Sequence, residues 1–469
     1  MKIAFHGAAQ TVTGSKHIIT LSNGKKILLD CGMFQGMGRE TNELNKDFGF
    51  NPAEITYMIL SHAHIDHCGL LPKLIKEGYN GKVYSTPATK DLAKVLMEDS
   101  AGIQEQDIKF ENKRRSLLGL PYLKPLYTTE DAMIASDHFE TVEYDVWHEI
   151  DDQISFCYTD AGHIIGSAVV NLRIKDKGET KTLTFSGDVG RYRDIILKSP
   201  SVFPQADYII LESTYGNSLH DEHHSSTEAL LGWIKKTCLE KKGKLIIPAF
   251  SVGRTQEILF TLNQLELENS LPHLDYFVDS PLSMKATNIV KSYPNYFNDR
   301  IQKVLENDDD PFGFRGLKFI KSVEESKLLN YHKNPCVIIS ASGMAEAGRV
   351  KHHISNNIES SRNTILLTGY CEPNSLGGRL KKKPREVTIF GQPHEVNAEI
   401  AELRSMSAHG DYEDLCQFLS CQEPRAVKKL FLVHGEPEVQ HDFKQRLIRK
   451  GFTDVEIPEM HQEIGLGNG

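Results

Sequence analysis

No two of the eight cysteines form a Cys-x-x-Cys pair, and they are scattered along 469 residues, so neither a thiolate zinc site nor a disulfide framework is indicated. Cys31 and Cys68 adjoin candidate site residues and read as buried free thiols. No apolar run reaches the length a membrane helix needs, and residues 1–10 lack the charged-then-apolar pattern of a secretion signal; a cytoplasmic protein with no membrane association is expected. An excess of basic charge is missing too. With 54 Lys and Arg against 63 Asp and Glu the net charge is -9, which argues against a non-specific polyanion binder without excluding nucleic acid. Two local basic clusters run against that balance, Lys113-Arg114-Arg115 and Lys381-Lys382-Lys383-Pro384-Arg385, each readable as a solvated face or a phosphate-backbone contact. There is no internal repeat or low-complexity segment, and the length exceeds what one core organises, so two or three domains are expected.

What the sequence does contain is concentrated at Ser61-His62-Ala63-His64-Ile65-Asp66-His67, where three histidines and a carboxylate occupy positions 62–67. An apolar run at 55–60 reads as a buried strand feeding into it, and 70–76 reads as a short helix beyond. Alternation on the extended side points His62 and His64 the same way, while the helix start turns Asp66 and His67 toward a neighbouring position. One ligand pair per metal is the natural geometry. The bland alternative is a surface histidine cluster with Asp66 as a first-turn residue favoured by the helix dipole. Imidazole nitrogen and carboxylate oxygen suit zinc, but four local ligands cannot close two such sites, so more His and Asp are expected from distant strand ends.

Those strand ends exist. A hairpin turning at Asn23-Gly24 opens the chain, and its second arm ends in Asp30 before a Gly-rich loop. A long helical stretch covers 89–115, and another covers 126–138 with Thr128 or Thr129 as its cap. Strands at 154–159 and 167–174 flank His163 on a Gly-containing turn, a strand at 182–185 leads to Asp188, and one at 208–211 leads to Glu212. Further on, short apolar strands at 244–248, 275–278, 336–340 and 364–368, separated mostly by helical segments, argue βαβ units and a parallel sheet. Two turns there end strands and begin helices. They offer Ser251 with Arg254, and Ser342 and Gly343 with Arg349, as candidate phosphate contacts or as tight packing turns. His409 follows in Ser407-Ala408-His409-Gly410-Asp411, and His434 ends a strand at 429–433.

In order and context, Asp30, the His62-x-His64-x-Asp66-His67 cluster, His163 and Asp188 resemble the four ligand motifs of the metallo-β-lactamase fold. Glu212, His409 and His434 resemble the three further motifs of its nucleic-acid-processing branch, the β-CASP family. The resemblance covers essentially the whole chain and looks like the compact, mainly bacterial type, without the KH domains of archaeal relatives or the added C-terminal domain of ribonuclease J. It implies an α/β protein: an αββα sandwich formed by 1–216 and 401–469, with an inserted β-CASP domain at 217–400 carrying a parallel sheet. It also implies two zinc ions per chain. One would be held by His62, His64 and His163, the other by Asp66, His67 and His434, with Asp188 bridging and Asp30 supporting the site from behind. The implied activity is hydrolysis of single-stranded RNA, a metal-bridging hydroxide attacking phosphorus while His409, oriented by Glu212, protonates the leaving oxygen. A histidine rather than a valine at position 434 favours RNA over DNA. Endonuclease and 5′-exonuclease modes are both left open, as is a homodimer. The alternatives are another hydrolase of the same fold, a DNA-acting nuclease, or a catalytically silent RNA-binding scaffold.

Overall fold

The computed structural model describes residues 1–220, 223–403 and 406–467. Two seven-stranded sheets face each other. The first runs, in space, Glu463–Gly465, Lys2–Gly7, Lys16–Thr20, Lys26–Leu29, Tyr57–Ile59, Val83–Ser85 and Phe139–Thr141. The second runs Val455–Glu456, Lys429–Val433, Tyr208–Glu212, Glu179–Phe185, Ala168–Asp176, Ile154–Asp160 and Trp147–Glu149. Side-chain alternation explains how they meet. Ile154, Phe156, Val170, Leu172, Leu183 and Phe185 point inward against Ile3, Phe5, Ile19, Ile27 and Leu29 in one buried cluster.

The residues between them point the other way. Val169, Ile209, Leu211, Leu430 and Leu432 carry the helices Tyr412–Phe418 and Pro437–Arg449 on the outside of the second sheet. On the outside of the first, Leu28, Met58, Leu60 and Val83 carry Leu71–Lys76, Pro87–Leu117 and Thr129–Ser136. This is the αββα sandwich expected.

The third sheet is six-stranded and wholly parallel, in the order Leu317–Phe319, Asp275–Val278, Cys336–Ser340, Lys244–Pro248, Thr364–Leu367 and Glu399–Glu402. Parallel sheets are covered on both faces, which is why their strands read as unbroken apolar runs. Ile246, Ile338 and Ile365 join the cluster that includes Val350 and Ile354 of the helix Arg349–Asn357. Leu245, Ile247 and Val337 join the cluster with Arg254–Leu267 and Pro281–Lys291 on the opposite face. That second cluster continues into Leu92 and Leu96 of the long helix Pro87–Leu117, so the inserted sheet and the sandwich share one apolar seam.

Helices came close to their expected limits where a cap marks them. Thr86 Oγ1 accepts the Thr89 N–H at the start of the long helix, and Thr128 forms a reciprocal capping box with Asp131. Three-residue strands such as Phe139–Thr141, Leu317–Phe319 and Glu463–Gly465 are too short to show alternation. The hairpin Glu386–Ile389 with Gln392–Glu395 was also not expected; its turn residues Phe390 and Gly391 both have positive φ, as a two-residue hairpin loop requires. Among the described residues no helix is long and apolar enough to cross a membrane.

Candidate metal centre

Strand direction collects the site. Lys26–Leu29 and Tyr57–Ile59 are parallel, as are Glu179–Phe185, Tyr208–Glu212 and Lys429–Val433, so Asp30, His62, Asp188, Glu212 and His434 all emerge at one edge of the sandwich. His163 reaches the same edge from the turn between the antiparallel strands Ile154–Asp160 and Ala168–Asp176. Chain segments hundreds of residues apart therefore converge at one edge.

One donor atom from each of His62, His64, His163 and Asp188 falls within a 4.8 Å group, and so do those of Asp66, His67 and His434. His64 Nδ1 lies 3.2 Å from His62 Nε2 and 3.1 Å from His163 Nε2. His67 Nε2 lies 3.3 Å from His434 Nε2, and His434 Nε2 is 3.4 Å from Asp66 Oδ2. Asp188 Oδ2 sits between the two groups, 3.4 Å from His62 Nε2, 3.5 Å from His163 Nε2 and 3.3 Å from His67 Nε2. The local pairing expected from alternation and helix onset is thus the pairing observed.

Chemistry argues that these groups hold cations. Four donors at about 2.0 Å from a tetrahedral ion lie roughly 3.3 Å from one another, the spacing seen here. His64 Nε2 and Asp188 Oδ1 are buried with no hydrogen-bond partner, which for a carboxylate oxygen is costly unless a positive charge compensates. In the first group protonation is consistent with ligation. Burial pushes the His62 imidazole down to about 3, His64 to about 4 and His163 well below its usual range, leaving neutral rings with free lone pairs. In the second, burial would lower His67, but the Asp188, Asp30 and Asp66 carboxylates outweigh it and raise the ring well above its usual range, so a proton stands there where a cation would compensate the same charge. Burial would raise Asp66 and Asp188, but His67 and His434 beside them hold both carboxyls well below the usual range.

Around the donors stands a set of supporting contacts. Asp30, fully buried, accepts from the Ser61 N–H at 2.8 Å and from its hydroxyl at 2.9 Å, and its Oδ2 lies 2.6 Å from His67 Nδ1. Thr214 Oγ1 is 3.0 Å from His434 Nδ1, and the Ala408 carbonyl is 3.2 Å from His163 Nδ1. Each fixes a ring's orientation through its far nitrogen. Ser61, Thr214 and Ala408 escaped the sequence reading although they adjoin residues it singled out. A Ser or Thr one or two positions from a ligand was the available signal.

Glu212 and His409 stand at the rim. Glu212 is buried; its Oε1 accepts the Val189 N–H at 2.7 Å and lies 3.0 Å from His409 Nδ1. His409 Nε2 points inward, 3.9 Å from Asp188 Oδ2. Burial lowers the His409 pKa, but the Glu212 and Asp188 carboxylates outweigh it and lift the ring to about 9.

The two turns expected to meet phosphate are near the cluster but built differently. Phe250 lies 6.3 Å, centroid to centroid, from His64, and a Cβ on Gly343 would come within 2.6 Å of the Phe250 ring, so the turns pack flat on one another. Arg254 is buried in an ion pair with Glu257, and Ser251 is buried with its carbonyl accepting from Gln256. Arg349 Nη1 is 2.6 Å from Asp279 Oδ1, and the same guanidinium donates to the Lys321 carbonyl. Neither guanidinium is the free fork expected from the sequence. Buried carboxylates inside the inserted half claim both. Ser342 is partly exposed on its loop.

The His163 turn carries its own pH dependence. Asp160 Oδ1 accepts the Gly162 N–H at 2.8 Å, and burial raises the Asp160 carboxyl to about 7. A raised folded-state pKa means stability is greatest below about 4 and falls as pH climbs toward 7, where the unfolded chain ionises freely and the folded one resists. Asp160→Asn keeps the acceptor and removes the charge. The variant is expected to melt a few degrees above wild type at pH 8 and to show no such advantage at pH 4, measured by calorimetry in both buffers. Equal gaps at the two pH values would contradict it.

Comparison with known proteins agrees with this geometry. Residues 17–248 match the metallo-beta-lactamase superfamily, 255–380 the Beta-Casp domain, and 393–458 the Zn-dependent metallo-hydrolase RNA specificity domain. The chain is 35% identical to ribonuclease TTHA0252 of Thermus thermophilus over 93% of its own length and 94% of the relative's. It is 30% identical to an RNase J-like protein of Methanocaldococcus jannaschii, covering 92% of each. It is 29% identical to cleavage and polyadenylation specificity factor 73 of Drosophila melanogaster over 96% of this chain, which spans 62% of that protein. With seven ligand-type residues gathered at one edge of the sandwich and three family domains matched in order, the chain belongs to the β-CASP family of the metallo-β-lactamase superfamily.

Proposed function

We propose that this protein is a zinc-dependent ribonuclease that hydrolyses phosphodiester bonds of single-stranded RNA. The observation carrying the reading is the Glu212–His409 pair, a carboxylate-oriented imidazole whose free nitrogen points at a ligand cluster, 3.9 Å from Asp188. A metallohydrolase needing only activated water has no use for that pair; cleavage of a phosphodiester has, because an alkoxide must be protonated as it leaves. Relatives named as ribonucleases support the substrate class, and the RNA specificity domain matched at 393–458 contains both His409 and His434.

His62, His64 and His163 would hold one zinc ion and Asp66, His67 and His434 a second, with Asp188 shared. When bound, such a pair neutralises phosphoryl charge and makes hydroxide available near neutral pH. The chain's own residues do the rest. Glu212 keeps the proton on His409 at neutral pH, Nδ1 toward the carboxylate and Nε2 toward the leaving oxygen. Asp30 holds His67 so that Nε2 faces inward. The substrate would run between the sandwich and the inserted domain, divided near Gly216 and Ile400. Every strand of the parallel sheet comes from between Lys244 and Glu402, which supports an insert beginning after Gly216; because its last strand, Glu399–Glu402, crosses Ile400, the insert would end just past Glu402.

The test is incubation of purified, zinc-loaded protein with 5′-labelled and 3′-labelled single-stranded RNA, matched DNA, and an Asp188→Ala control. RNA fragments that depend on Asp188 are expected. Internal fragments identify an endonuclease and mononucleotides from one end an exonuclease; preference for DNA would overturn the reading.

A further inference from the structure

Both basic clusters remain outside the catalytic account, and the one at 381–385 adjoins an exposed aromatic hairpin. Phe390 forms the tip of the hairpin Glu386–Ile389 with Gln392–Glu395 and is 51% exposed, unusual for a phenylalanine. Its ring is stacked on the exposed His352, centroids 4.5 Å apart and planes 28° from parallel, and Lys351 Nζ lies 5.2 Å from its centroid. Behind the hairpin, Arg379 Nη1 donates to the Thr388 carbonyl at 3.3 Å. The helix Leu376–Lys381 then runs out into exposed Lys382, Lys383 and Arg385 at the hairpin's root, about 13 Å along a four-residue strand from its tip.

The Lys351 ammonium acts on the Asp107 carboxyl of the long helix, which burial raises and this charge pulls back. Asp107, Phe110 and Arg114 follow one another at helical spacing on one face, and Phe110 is 77% exposed. The path from the ligand cluster is continuous: His64 borders Phe250, Phe250 lies under Gly343, and the Gly343 loop leads into Arg349–Asn357, which carries Lys351 and His352.

We propose that Phe390 and His352, flanked by Lys351 and the Lys382–Lys383–Arg385 run, form a second single-strand RNA platform outside the cleft. It holds the part of a long substrate that has passed the cutting site. Exposed π-faces next to lysine and arginine are the sequence-tolerant recipe for single-stranded nucleic acid, since every base can stack and every phosphate can pair. Within 379–385 there are five basic residues and no acid, in a chain whose net charge is -9, so the local sign is opposite to the whole and complementary to a phosphate backbone. Lys351 Nζ donates to the Glu346 carbonyl at 3.2 Å and lies 3.8 Å from its carboxylate, and Glu386 and Glu395 flank the hairpin, which limits the footprint to the tip and the basic run. The inference rests on the single-stranded RNA reading above, and its test separates the two.

Oligo(dT) of 30 and of 8 nucleotides serve as binding probes by fluorescence anisotropy, because stacking and phosphate pairing do not need the 2′-hydroxyl; cleavage is followed on RNAs of the same lengths. Phe390→Ala is expected to weaken the 30-mer about tenfold and leave cleavage of the 8-mer unchanged. Lys382→Ala, Lys383→Ala and Arg385→Ala combined should do likewise and reduce the slope of log affinity against log salt by about 2. Unchanged 30-mer binding in both variants overturns the platform. So does a change in oligomeric state by light scattering without a change in oligonucleotide affinity, which would make the surface a protein interface. Failure of RNA cleavage by wild type, with 30-mer binding intact and sensitive to Phe390→Ala, would overturn the ribonuclease reading instead.

Discussion

On the zinc-ribonuclease reading proposed above, His409→Ala is expected to keep its bound metal and lose cleavage by about 10² to 10⁴-fold in kcat, with KM little changed, the range a positioned general acid contributes. The zinc prediction follows from geometry. His409 Nδ1 is committed to Glu212, and its Nε2 stands 3.9 Å from Asp188 Oδ2, whereas His62, His163 and His67 each bring Nε2 within 3.5 Å of that oxygen. The catalytic prediction follows from charge. A ring lifted to about 9 against its burial is protonated at neutral pH, as an acid must be before it reacts. Glu212 is the largest lifting influence, so Glu212→Gln should bring the alkaline limb of the kcat profile to lower pH while leaving the acid limb in place. A substrate with sulfur at the leaving position needs no proton to depart, so it should restore most of the His409→Ala rate and little of an Asp188→Ala rate. If sulfur rescues neither variant, or His409→Ala cleaves ordinary RNA at the wild-type rate, the histidine is not the acid.

What was legible beforehand has a physical pattern. Asp30, Asp188, Glu212 and His434 could be found because each is a polar residue following a short apolar strand, and parallel strands put such ends on one edge, whereas His163 stands out on a Gly-containing turn between antiparallel strands. The division of the 62–67 cluster into two pairs was legible for the same reason, since backbone direction alone separates His62 and His64 from Asp66 and His67. Arg254 and Arg349 stay open between phosphate contact and packing turn in the sequence because a guanidinium beside a glycine turn looks alike whether it awaits a phosphate or pairs with Glu257 or Asp279, which lie three and seventy residues away. Sequence spacing exposes the first of those partners and hides the second. Ser15, whose hydroxyl lies 3.2 Å from Asp30 Oδ2, was beyond reading altogether; only the hairpin register brings it there. Phe390 was invisible too, since an exposed aromatic at a hairpin tip has no periodic neighbour to announce it.

Asp30→Asn, a change of one atom's chemistry at constant volume, is expected to lower affinity for zinc by about 10 to 100-fold with the fold retained. Asp30 sits at φ +59°, a conformation that aspartate and asparagine tolerate better than most residues, so the backbone has no reason to object. The side chain does. Its Oδ1 accepts from the Ser61 N–H, while Oδ2 takes the Ser61 hydroxyl and lies 2.6 Å from His67 Nδ1. With the amide oxygen kept toward Ser61, the new NH₂ meets His67 Nδ1 and donates to it, driving the ring proton onto Nε2, the nitrogen that faces His434 and Asp188. Turned over, the NH₂ meets the Ser61 N–H, and two buried donors confront each other. The first arrangement removes the lone pair a metal needs, and the second keeps it only at the cost of that buried clash. Competition against a zinc-binding dye should show one of two ions released at lower chelator concentration, with circular dichroism of the metal-free protein close to wild type. Asp30→Ala should add instability to the same loss, because Ser61 and His67 are then left buried and unpaired at a cost of about 1 to 3 kcal/mol each. Unaltered zinc affinity in Asp30→Asn would mean that His67 is held in place by the cluster itself and that the carboxylate behind it serves the fold alone.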